Sequence, residues 1–151
     1  MKVLRAAVMF GLAMSAGAAP APQAELPTFK PGMWSFSLTS NRYGEKEPHV
    51  RTMTRCADPG SEIRKKWQDL ADRACHFSPL IREGSKWSYD ASCNDQGRAV
   101  TFKSVIMVDK DNTYRAETLA HTQTQASREI VVARRVGDCP KNPPAPQVAS
   151  H

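Results

Sequence analysis

The sequence predicts an α+β, mostly β domain. It is an antiparallel meander sheet of about seven strands with one helix packed on it, held by disulfides. Three observations predict this. Apolar residues alternate with polar ones in most of the segments between residues 32 and 139. One segment alone carries apolar residues at helical spacing behind a capping signal. Four cysteines, an even number, follow what reads as an export signal.

The elements follow in order. Residues 1–18 read as a signal peptide, with Lys2 and Arg5, an apolar run from Ala6 to Met14, and Ala16-Gly17-Ala18 for cleavage after Ala18. The run is too short for the roughly 20 residues that span a bilayer. No other segment is apolar for long enough, so no transmembrane segment is expected. Removal of Lys2 and Arg5 lowers the formal charge from +6 to +4, a modest value that does not demand an anionic partner. Residues 19–31 hold Pro20, Pro22, Pro27 and Pro31 and read as an extended leader outside the core. Residues 32–139 are the single domain. Residues 140–151, rich in proline, read as a disordered tail.

Trp34, Phe36 and Leu38 alternate with Ser35, Ser37 and Thr39 in the first strand. Residues 49–56 form a weaker second strand, with Val50, Thr52, Thr54 and Cys56 on one face. Asp58-Pro59 opens the helix, where Ile63, Trp67, Leu70, Ala71 and Ala74 face inward. Arg64, Lys65, Lys66, Asp69, Asp72 and Arg73 face outward. Cys75–Ile81 and Lys86–Cys93 read as a hairpin around Glu83-Gly84-Ser85. Its inner face holds Cys75, Phe77, Pro79 and Ile81 with Trp87, Tyr89, Ala91 and Cys93. Residues 98–108, a strand through Tyr114, Ala116 and Thr118, and a last strand through Ile130–Ala133 complete the sheet.

Strand direction suggests the disulfides. Cys75 and Cys93 fall opposite each other at the open end of the hairpin. The helix returns the chain to its starting end, and counting onward places Cys139 beside Cys56. The pairing Cys75–Cys93 with Cys56–Cys139 is therefore favoured. Cys56–Cys75 with Cys93–Cys139 is the alternative. The cysteines stand too far apart in sequence for the close pairs of a zinc site.

Three pieces carry a family resemblance: Phe29-Lys30-Pro31-Gly32-Met33-Trp34, the row Cys56, Cys75 and Cys93, and the ending Ala133-Arg134-Arg135-Val136-Gly137-Asp138-Cys139. Over about residues 29–139 the chain resembles the exported bacterial family called domain of unknown function 3617. The resemblance implies export and disulfides; it implies no reaction.

No catalytic constellation emerges, and no catalytic residue, metal ligand or cofactor is expected. His49, His76, His121 and His151 are scattered without a metal-ligand spacing. There is no nucleophile elbow, no Walker loop and no dinucleotide fingerprint. Asp109-Lys110-Asp111-Asn112 starts like a calcium loop, but Tyr114 and Ala120 stand where glycine and glutamate belong. The basic groups Arg64-Lys65-Lys66 and Arg134-Arg135 are too small for a nucleic-acid stripe. The aromatic residues read first as core. A sharper reading places Trp34, Trp67, Trp87 and Tyr89 around a cleft between sheet and helix, suited to a small apolar or lipid-like ligand. The functional expectation is a non-catalytic binding module of the cell envelope, periplasmic or secreted. The alternative is a protein-interaction module that uses a sheet edge or the basic helix face.

Overall fold

The computed structural model describes residues 25–73, 75–95, 97–141 and 147–150; for Asp95 and residues 147–150 it describes the backbone alone. The signal-peptide segment, residues 19–24 of the leader, and Ala74 lie outside the described residues. The elements are β1 (Gly32–Arg42), β2 (His49–Ala57), α1 (Pro59–Asp72), β3 (Cys75–Phe77), β4 (Ile81–Glu83), β5 (Lys86–Asp95), β6 (Arg98–Asp109), β7 (Thr113–His121), β8 (Ala126–Gly137) and β9 (Gln147–Ser150).

All strands join one antiparallel sheet in the order β3-β5-β6-β7-β8-β1-β2-β9, with β4 also paired to β5. The meander runs from β5 to β8. The β1–β2 hairpin then adds to the far side of β8, so the helix links strands at opposite ends of the sheet. The sheet is not closed.

Its curvature follows from α1. Glu62 reaches Arg55 of β2, and Trp67 stacks on Phe77 of β3. Those helix residues are about 8 Å apart along the axis. The strands they touch are six spacings apart, about 29 Å in a flat sheet. The sheet therefore curls around the helix and presents a concave inner face to it.

Two strands beyond the expected seven appear, for separate reasons. Cys75↔Cys93 and Phe77↔Ala91 share one register, but Ile81↔Ser88 lies one residue out of step. The extra residue splits the first arm into β3 and β4 and reverses its faces. Leu80 is thereby buried and Ile81 exposed, correcting the expectation that Pro79 and Ile81 face inward. The second addition, β9, lies inside the segment expected to be an unstructured tail. It pairs with the otherwise open edge of β2 from Arg51 to Thr54.

In the second strand the expected shared face is the outer one. Met53, Arg55 and Ala57 stand opposite Phe36, Trp34 and Gly32, so these three take the inner face. Val50, Thr52, Thr54 and Cys56 share the outer one.

The core sits at one end of the concave face: Phe29, Trp34, Phe36, Leu80, Trp87, Ile106, Tyr114 and Ala133. Trp34 is fully buried. The leader belongs to this core and not outside it. Phe29 packs edge-on to Trp34 and 4.9 Å from Tyr114, and Leu26 packs against the cluster. The leader's carbonyls take the two buried indoles: Trp34 Nε1 donates to Lys30 O, and Trp87 Nε1 to Glu25 O.

Disulfides join Cys56 to Cys139, with Cα atoms 5.6 Å apart, and Cys75 to Cys93, with Cα atoms 4.1 Å apart. The favoured pairing is the one the structure shows. One bridge lies three residues before α1 and the other three residues after it.

Candidate functional site: a cleft beneath the helix

The helix is firmly held at its start. Asp58 accepts from the Ser61 amide at 3.2 Å and from the Ser61 hydroxyl at 2.7 Å, and Pro59 occupies the first turn and is fully buried. These hydrogen bonds, the hydroxyl's foremost, hold the Asp58 carboxyl below its ordinary pKa. Arg55 adds a two-pronged ion pair to Glu62, at 2.6 and 2.7 Å, while its guanidinium covers the Phe36 ring. The hydrogen bond to Glu62 raises the Arg55 pKa.

Further along, the fit loosens. Within the described part of the helix only Pro59 and Gly60 are buried; Ile63, Trp67 and Leu70 are half-buried and Ala71 is exposed. Beneath this stripe lie two adjoining lobes of about 180 and 220 Å³. The first is walled by Ile63, Trp67, Ile106, Tyr114, Ala116 and Val131. The second is walled by Leu70, Phe77, Ala91, Phe102 and Ala120. Lys66, Tyr89, Ser104, Thr118 and Glu129 border both. Lys66 is thus turned to the cleft, correcting its placement on the outer helix face.

Strand register explains the shared border. Tyr89, Ser104, Thr118, Glu129 and Ser40 are successive cross-strand neighbours on the inner face. They form one polar row across the curved sheet. The next row toward the core is Trp87, Ile106, Ala116, Val131 and Leu38. On the other side lie Ala91, Phe102, Ala120 and Ser127. Ser104 is 4% exposed, and its hydroxyl pairs with that of Thr118 at 3.0 Å. Burial pushes the Tyr114 hydroxyl up to about 12, with the Glu62 carboxylate adding to the shift, so it keeps its proton at neutral pH.

Of the four aromatic residues assigned from sequence to a cleft, the structure brings two to it. Trp67 and Tyr89 line the first lobe, their rings 4.6 Å apart. Trp34 and Trp87 are buried in the core with satisfied indoles. The Trp67 indole N–H is buried and has no hydrogen-bond partner among the described residues. Sequence reasoning places none of Ser104, Thr118 and Glu129 in a site. Their signal was present: each is a polar residue in phase with the inward apolar positions of its own strand.

A strongly curled antiparallel sheet, bridged by one helix and fastened by two disulfides, with a small cleft under the helix, defines a class of compact β-rich domain. Within it the chain belongs to the family described as "Protein of unknown function (DUF3617)", whose model matches residues 29–139. No curated protein and no solved structure matches the chain.

The opening and ending stretches that carried the resemblance meet at the core end, and of the cysteine row Cys56 joins them there. Arg135 donates to Pro31 O at 3.0 Å and pairs with Asp138. A Cβ on Gly32 would lie 2.5 Å from the Gly137 carbonyl oxygen. Cys56 then closes on Cys139 beside them. These stretches build the fold; the cleft lies elsewhere. No group of three or more potential metal ligands occurs among the described residues.

Proposed function

We propose that the chain is an exported, non-catalytic binding module of the bacterial cell envelope, taking a small apolar or lipid-like ligand in the cleft between α1 and the curved sheet. The observation that carries this reading is the half-buried helix stripe standing over two apolar lobes, while the core at the other end is filled. Concave apolar sites with a few placed polar groups are the usual form of small-molecule sites. Export is supported by the signal-like N-terminus and by two disulfides, which persist in oxidising compartments.

The test is native mass spectrometry of the protein purified from its producing cell, with organic extraction of the same sample. The expected result is a reproducible added mass that extracts as an apolar molecule. An unadorned protein that also takes up no apolar molecule on exposure contradicts the reading.

One observation favours a protein-interaction module instead. Met107 and Val132 are 53% and 43% exposed on the convex face, on either side of Arg115. The sheet edges favour it less, because β3 and β4 are three residues each and β9 covers part of β2.

A further inference from the structure

The polar row says what kind of molecule the cleft would take. It runs between two apolar rows, each about 7 Å away along the strands. A purely apolar ligand spanning both lobes would lie across buried hydroxyls and gain nothing from them. The Ser104–Thr118 hydrogen bond uses one hydroxyl hydrogen; the other remains free to donate. The Trp67 indole ring lines the first lobe, but its N–H is sealed within the fold and adds no donor to the cleft surface. A free hydroxyl hydrogen calls for an acceptor. The charges bordering both lobes are one cation, Lys66, and one anion, Glu129; Glu62 borders the first lobe alone and is paired with Arg55. They favour neither an anionic nor a cationic head group.

Resting on the cleft-binding reading, we propose that the ligand is uncharged and carries an apolar arm on each side of a central acceptor of the carbonyl type. The acceptor sits over Ser104 and Thr118, one arm reaches toward Ile106 and Val131, and the other toward Phe102 and Ala120. Esters, ketones and amides of short chains share this chemistry.

The probes are 5-nonanone and nonane, which have equal chains and differ by one carbonyl oxygen, with nonanoate and nonylammonium as charged controls. Each is titrated by NMR into the disulfide-intact mature chain. The ketone is expected to bind roughly 2- to 10-fold tighter than nonane, the worth of one ordinary hydrogen bond. It is also expected to bind more tightly than either ion. Ser104→Ala combined with Thr118→Val removes the preference for the ketone while nonane still binds. Thr118→Ser, which keeps the hydroxyl, retains the preference, and urea unfolding of each variant verifies that it is folded. Equal binding of ketone and nonane, or tighter binding of an ion, overturns the proposal and leaves the cleft reading intact. Failure of every probe to bind overturns both.

Discussion

The two ends of the concave face have the same architecture and opposite packing. At the core end Phe29, Trp34 and Tyr114 fill the space, Trp34 is fully buried, and leader carbonyls receive the Trp34 and Trp87 indoles. Under the helix, Trp67 stacks on Phe77 but stays half-buried, its indole N–H without a partner, over lobes of about 180 and 220 Å³. Both ends are aromatic, and in the sequence they form one set. The difference teaches that aromatic content does not tell a filled core from a cleft. What tells them apart is whether each polar edge of each ring is satisfied from within the fold.

The largest effects that sharpen this contrast come from the tryptophans. Trp34→Ala is expected to cost about 3–5 kcal/mol, the usual range for emptying an aromatic core site. Trp67→Ala is expected to cost clearly less and to weaken apolar-probe binding instead. Urea denaturation of both variants checks this, and equal losses would break the contrast.

The disulfides come next. Replacing either pair by serine is expected to cost about 2–4 kcal/mol. Loss of Cys56–Cys139, which closes 83 residues of sequence, is expected to exceed loss of Cys75–Cys93, which closes 18. Hydrogen exchange is expected to rise at the start of α1 in the first case and at its end in the second.

Two glycines separate crowding from open space. Gly32→Ala forces a Cβ onto the Gly137 carbonyl and is expected to cost about 1–3 kcal/mol. A Cβ at Gly137 meets nothing within 4 Å, and Gly137→Ala is expected to stay within about 0.5 kcal/mol of the parent. Thermal melts of the two variants decide it.

The smallest loss expected from removing a contact is at the helix cap. Asp58→Ala is expected to cost about 1 kcal/mol at neutral pH. Because its folded pKa is lowered, the carboxylate's contribution is fully present above the ordinary value of about 3.9 and is lost as pH falls through the lowered one. Urea midpoints between pH 7 and pH 3 are therefore expected to converge for parent and variant.

Much of this was legible in the sequence. Alternation located β1, β5, β6, β7 and β8, and Asp58-Pro59 located the helix start. Hairpin geometry paired Cys75 with Cys93. The slip at residues 78–80 was not legible, because one extra residue leaves no mark on composition while reversing which of Leu80 and Ile81 is buried. The leader's place in the core was also hidden. Its prolines signal extended chain, and extended chain at a sheet's end packs or floats according to tertiary neighbours such as Tyr114. The polar row was written in phase within three separate strands. Only the register of β6, β7 and β8 brings Ser104, Thr118 and Glu129 side by side.

The most direct measurement follows the three indole N–H groups by NMR hydrogen exchange in the disulfide-intact protein, with and without nonane. The account predicts that the Trp34 and Trp87 indoles are protected and unmoved by nonane, while the Trp67 resonance shifts as the probe enters. Three indoles with the same protection and no response at Trp67 would contradict it, because the space beneath the helix would then be as closed as the core.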